Sequence, residues 1–249
     1  MSRTSGPRRA RTAAVVLTAV LGVSGCGALP ELPGPAPTDL VPSEVPRAVP
    51  TATGNLSPDG FDAAQRMAVR IRNVGCRSLS TGSGFAIDAT TLITNRHVVA
   101  DSADLQLSTY DGRDIGATAA STAALADLAI VRTVDELPAF PELAEADPAS
   151  GDTVTIVGYP LGGRLTVTSG RVMGVTTDPL NENLGEVLVT DAPVEPGSSG
   201  SAVLDADGRV IGVVYAKNAA GMSFIVPVST LRQMLADEGA FVPSPTCTD

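Results

Sequence analysis

The segment Ser201-Ala202-Val203-Leu204-Asp205-Ala206-Asp207-Gly208-Arg209-Val210-Ile211-Gly212-Val213-Val214-Tyr215 decides the fold class. Two short apolar runs, 201–205 and 210–215, flank Asp207-Gly208, a pair suited to a tight turn with positive φ at the glycine. Outward from this hairpin the same pattern recurs. Strands are expected at 68–72, 83–88, 91–94, 104–108, 115–119 and 128–132, and again at 153–158, 165–175, 186–190, 201–205, 210–215 and 223–227. Turn residues separate them at short intervals, the signature of an all-β barrel or sandwich. The Pro-bounded stretch 138–148 divides the twelve strands evenly and reads as a linker, so two six-stranded antiparallel β-barrels are expected. The Ala-rich run 117–126 reads largely as a loop. One short C-terminal helix is expected at 229–236, with Ser229 as its N-cap before Leu231, Met234 and Leu235. A weaker helical signal lies near 60–66.

The chain of 249 residues holds more than this core. Arg3, Arg8, Arg9 and Arg11 precede an apolar run from Thr12 to Gly25, too short for a bilayer span of about 20 residues. The run ends in Val23-Ser24-Gly25-Cys26, which is similar to a bacterial lipoprotein signal, where the Cys is acylated and becomes the new N-terminus. Residues 1–25 are therefore expected to be a signal peptide, Cys26 the lipidation site, and the chain extracytoplasmic and membrane-anchored. An ordinary secretory signal is the alternative. Residues 26–60 carry eight Pro and read as an extended linker, because Pro fixes φ and removes backbone donors. The folded domain is expected over 61–242, followed by a tail at 243–249.

Composition narrows the chemistry. The charge is −10 overall, and losing the four leader arginines leaves 13 basic against 27 acidic residues, near −14. No basic face is available for nucleic acid. Three Cys without C-x-x-C spacing and a single His exclude a zinc site, and no cofactor is expected. With Cys26 assigned to lipid, Cys76 and Cys247 remain as a disulfide pair for an oxidising compartment, the alternative being two free thiols.

Any imidazole chemistry must use His97, in Leu92-Ile93-Thr94-Asn95-Arg96-His97-Val98-Val99, downstream of Gly82-Ser83-Gly84-Phe85. A Ser hydroxyl becomes a nucleophile when a base takes its proton, an acid holds that base in one tautomer, and N–H donors await the oxyanion. The candidates are Ser199 as nucleophile, His97 as base, Asp127 as orienting acid, and the backbone N–H groups of Gly197 and Ser199 as the oxyanion hole. Asp104 and Asp114 are rivals to Asp127. The order His–Asp–Ser agrees with the β-rich pattern. The Ser–Asp–His order of α/β-hydrolases finds no G-x-S-x-G before His97, and the Asp–His–Ser order, open through Asp88, requires alternating helices and parallel strands.

At this point residues 67–236 resemble the trypsin-like (chymotrypsin-fold) serine proteases, in the bacterial branch of Deg/HtrA-type enzymes and actinobacterial membrane-associated serine proteases. Thr94–Val99 is similar to the family's histidine motif, Asp127-Leu128-Ala129-Ile130 to its aspartate motif, and Gly197-Ser198-Ser199-Gly200-Ser201 to its Gly-x-Ser-Gly-Gly motif. Gly158-Tyr159-Pro160-Leu161-Gly162-Gly163 resembles a loop of its second barrel. The resemblance implies a serine endopeptidase acting on proteins or peptides. It also places a substrate pocket between residues 192–196 and the strand 213–217, with Pro193, Tyr215 and Lys217 as its candidates; an uncharged Pro193 argues against an Arg or Lys preference, and Lys217 at the rim would favour an acidic residue. No PDZ domain is expected after residue 236. Ser198 stands where relatives activated by N-terminal cleavage carry Asp, so no such cleavage is expected to be needed. Ser201 and Ala202 replace the commoner Gly and Pro, which keeps open a second reading, a weakly active or inactive peptide-binding module.

Overall fold

The computed structural model describes residues 61–123, 126–180, 184–237, 239–245 and 247. The signal peptide, Cys26 and the Pro-rich linker lie outside the described residues.

Two antiparallel barrels follow each other along the chain. The first comprises β1 (Ala68–Gly75), β2 (Leu79–Asp88), β3 (Thr91–Asn95), β4 (Ser102–Thr109), β5 (Asp114–Ala123) and β6 (Leu128–Thr133). They run in the order β5-β4-β1-β2-β3-β6, and pairing of β5 with β6 closes the ring. The second comprises β7 (Thr153–Gly158), β8 (Thr166–Thr177), β9 (Glu186–Thr190), β10 (Ala202–Leu204), β11 (Val210–Lys217) and β12 (Ser223–Pro227), closed in the order β10-β11-β12-β9-β8-β7. The deciding hairpin is β10–β11: Ala202 faces Val213 and Val203 faces Gly212, and Gly208 takes φ +80 in the turn.

Several strands are apolar without alternation, and the packing explains why. In β12, Ile225 enters the core of the second barrel with Val154, Val203 and Ile211, while its neighbours Phe224 and Val226 enter a separate cluster with Phe85, Ile93, Leu128 and Val213. That cluster draws on both barrels and forms the seam between them. A strand buried on one face by its own barrel and on the other by the seam has no reason to alternate. The remaining core, with Val69, Ile71, Leu92, Leu107 and Val131, fills the first barrel.

Local structure departs from expectation in five places. The Ala-rich run is not mainly a loop: β5 continues to Ala123, because Ala119–Ala123 pair with β6 and so escape the weak strand preference of alanine. The 138–148 stretch is tied down, with Ala144 N–H donating to Val210 O and Val210 N–H to Glu142 O. An unexpected short helix forms at α2 (Arg96–Val99), whereas α1 (Ala63–Arg66), opened by an Asp62–Gln65 capping box, answers the weak helical signal near 60–66. The last helix, α3 (Val228–Ala236), is capped from outside. Pro227 occupies its N-cap position, and the carboxylate of Asp147 accepts from Ser229 N–H at 2.9 Å and Ser229 Oγ at 2.6 Å, so Ser229 is not the cap itself. Finally, β13 (Val242–Pro243), which spans the expected domain boundary, adds to the edge of β5, and Cys247 beyond it is disulfide-bonded to Cys76.

Candidate active site

β3 ends at Asn95, and the single turn of α2 lifts His97 to the surface, where its side chain is 48% exposed. Asp127 is the opposite, 3% exposed in the turn before β6, with φ +47. Aspartate is among the few non-glycine residues that enter the left-handed region readily. The turn is held by Arg96 N–H and Asn95 Nδ2, which both donate to the Asp127 carbonyl, at 2.9 and 3.0 Å. This aims the carboxylate at the residue two places beyond Asn95. Asp127 Oδ1 accepts from His97 backbone N–H at 3.1 Å, and Oδ2 lies 2.7 Å from His97 Nδ1. An ionised carboxylate only accepts, so Nδ1 carries the proton and Nε2 keeps its lone pair. Arg96 Nε lies 3.8 Å from Oδ1.

The turn at 195–201 supplies the second half. Ser198 N–H donates to Glu195 O at 2.8 Å, and Ser201 N–H to Ser198 O at 3.0 Å. Gly197 takes φ +92, and a Cβ there would lie 2.8 Å from Leu161 N and 2.9 Å from Tyr159 O, so only glycine fits. The same crowding holds at Gly200, whose φ is +86 and whose Cβ would meet Ser83 O. Successive carbonyls of this turn are pinned from behind: Pro196 O by Leu161 N–H, Ser198 O by Ser201 N–H, Ser199 O by Ser83 N–H. Among the described residues, the N–H groups of Gly197 and Ser199 donate to no acceptor of the protein. The Ser199 hydroxyl makes a long hydrogen bond, 3.5 Å, to Tyr215 O, and none to the His97 ring. The turn docks against Ser83 of β2 and Thr94 of β3, and Thr94 lies three residues before His97 in the chain.

Of the pocket candidates, Pro193 borders a cavity of about 140 Å³ whose walls also include Ile156, Gly158 and Thr168 of β7 and β8 and Ser198 and Ser201 of the nucleophile turn. Tyr215 is buried, its hydroxyl donating to Asp178 Oδ1 at 2.7 Å. Lys217 Nζ binds Glu195 Oε2 at 2.6 Å and Val194 O at 3.1 Å, so its charge is already paired and its pull on an acidic substrate residue is weakened. These bonds place the strand around 217 beside the 194–195 segment. A cleft of about 920 Å³ opens in the first barrel, between Ser102–Leu105 of β4 and Ala117–Ala120 of β5, but His97, Asp127, Gly197 and Ser199 do not line it. The converging polar groups, rather than the larger volume, mark the site. Asp104 and Asp114 lie along that cleft, away from His97. Among the described residues no cluster of ligands suited to a metal occurs.

Residues 82–213 match the family model for the trypsin-like peptidase domain, a span that runs from the glycine before Ser83 through the whole Ser199 turn. The chain belongs to the trypsin-like peptidase family. Within that family it is 31% identical to serine protease Rv3671c of Mycobacterium tuberculosis over 252 residues, 96% of this chain and 61% of that protein. It is 35% identical to the mitochondrial serine protease HTRA2 of Bos taurus over 63% of this chain and 36% of that protein. The chain thus spans about a third to three fifths of the length of these relatives. A crystal structure of the Rv3671c protease in its active form superposes with a TM-score of 0.65 at 29% identity, covering 74% of this chain and 85% of that one. The two-barrel reading and the trypsin-like peptidase resemblance both hold. Sequence reasoning about this peptidase missed Ser83, Tyr159 and Leu161, which support the Ser199 turn. A signal was present in Gly82-Ser83-Gly84, since glycine inside a strand marks close approach of another backbone.

Proposed function

We propose that the protein is an extracytoplasmic, lipid-anchored serine endopeptidase that cleaves protein or peptide substrates through an acyl-enzyme. One observation carries the reading: the Gly197 and Ser199 N–H groups flank the nucleophile with no acceptor of their own. A binding module gains nothing from two fixed, unpaired donors there, whereas a developing oxyanion needs them. The Ser199 hydroxyl exchanges Tyr215 O for His97 Nε2 and attacks the substrate carbonyl, its proton passing to Nε2. Asp127 stabilises the resulting imidazolium. The proton then moves to the leaving amine, the C–N bond breaks, and a water activated by His97 releases the acid and restores Ser199.

A fluorophosphonate probe applied to the full chain tests this. Labelling that is abolished in Ser199→Ala and in His97→Ala is expected; a folded wild-type protein that takes no label supports the binding module suggested by Ser201 and Ala202. The extracytoplasmic site is supported by the Cys76–Cys247 disulfide, a bond that persists in oxidising compartments. Anchoring rests on the sequence around Cys26, and Cys26→Ser is expected to move the protein from the membrane fraction to the soluble one.

A further inference from the structure

The oxyanion-hole turn stands on the second barrel, yet one of its supports comes from the first. Ser83, in the middle of β2, is fully buried. Its Oγ donates to Gly197 O at 2.8 Å and accepts from Tyr159 N–H at 2.8 Å. Its own N–H donates to Ser199 O at 2.8 Å, and its carbonyl accepts from Thr94 Oγ1 at 2.6 Å. Because Tyr159 N–H occupies a lone pair of the hydroxyl, the hydroxyl proton has one direction left, toward Gly197 O. Gly158 makes room for this arrangement, since a Cβ there would come 2.8 Å from Ser83 Oγ.

From this geometry we infer that Ser83 is a positioning residue for the oxyanion hole, a role that rests on the catalytic reading above. A planar trans peptide points its N–H opposite to the carbonyl of the preceding residue. The N–H of Gly197 points opposite to Pro196 O, and that of Ser199 opposite to Ser198 O; both carbonyls are held by backbone donors of the second barrel. The peptide between those two planes, 197–198, joins them through a glycine at φ +92, the residue with the least steric resistance to rotation. Ser83 Oγ is the donor on that peptide's carbonyl, and Ser83 N–H fixes the next carbonyl after the nucleophile. One buried residue of β2 therefore keeps the two oxyanion donors aimed at a common point. Leu161 acts alongside it, its backbone at φ +57 despite a bulky side chain, with its N–H spent on Pro196 O at 2.6 Å. Alanine at 83 leaves Tyr159 N–H and Gly197 O without their partner, and the central peptide is then held at one end only, by Ser198 N–H on Glu195 O at 2.8 Å.

The test compares the full wild-type chain with Ser83→Ala and Thr94→Val, using a peptide amide substrate, active-site titration with the fluorophosphonate, and a peptide boronate that forms a tetrahedral adduct at Ser199. Ser83→Ala is expected to lower kcat per titrated site by about 10- to 100-fold, with KM within about twofold and boronate affinity falling in step with kcat. Thr94→Val, which loosens the Ser83 peptide and keeps its hydroxyl, is expected to show the same pattern more weakly. A wild-type kcat per titrated site in Ser83→Ala, or a loss confined to KM or to the folded fraction, overturns the inference. If Ser83→Ala does not fold, Thr94→Val decides, and an unchanged kcat there overturns it. A wild-type chain that neither titrates nor cleaves would instead defeat the catalytic reading itself.

Discussion

Asp127 combines two demands that few residues meet, a left-handed backbone at φ +47 and a carboxylate 2.7 Å from the imidazole. Asn tolerates the same backbone, so Asp127→Asn isolates the second demand. The amide offers His97 Nδ1 a donor as readily as an acceptor and loses the tautomer that leaves Nε2 basic. The expected result is a fall of about 10⁴-fold in kcat with the fold intact, measured on a peptide substrate beside a melting curve. Tyr159 makes a prediction of another kind. Burial pushes its phenol up to about 12 from an ordinary value of 10. The folded state therefore retains a proton that the unfolded chain gives up above pH 10, so this contribution is full below pH 10 and is lost as pH rises toward 12. Melting temperature against pH is expected to fall less steeply across that window in Tyr159→Phe than in wild type; parallel curves would contradict the assignment.

At the scale of elements, β10–β11 was legible because its chemistry is local: two apolar runs and an Asp-Gly turn suffice. The short elements were not. α2 has four residues and no side-chain cap, and it exists because Asp127 holds the backbone N–H groups of Arg96 and His97 from 30 residues away. β13 has two residues and depends on the edge of β5. The start of α3 misled for a related reason. Ser229 has the composition of a cap, but the carboxylate that satisfies its N–H belongs to Asp147, 82 positions earlier. Asp147→Ala is expected to cost about 1 kcal/mol of stability, read as a shift in denaturation midpoint, whereas Ser229→Ala, which keeps its own backbone N–H on Asp147, is expected to cost less.

The whole molecule is organised by its seam. His97, Asp127 and Ser199 were legible as candidates because each sits in its own motif, and their order suits a β-rich fold; of the three, His97 and Asp127 are in direct contact. What holds the site together was not readable, because Ser83, Tyr159 and Gly197 meet only after both barrels close. The C-terminal tail is tied down in the same non-local way: Cys76 after β1 is bonded to Cys247 beyond β13 across 171 positions. For a loop of this size the chain-entropy estimate is about 5 kcal/mol. Adding reductant is therefore expected to lower the melting temperature by roughly 5–15 °C, and identical curves with and without reductant would contradict a stabilising bridge. A crystal structure of the full chain phosphonylated at Ser199 would probe the nucleophile turn itself. The phosphonyl oxygen is expected at about 2.7–3.1 Å from both Gly197 N and Ser199 N, with the Ser83 hydroxyl still on Gly197 O. A phosphonyl oxygen turned to solvent, with either N–H bonded elsewhere, would contradict that geometry.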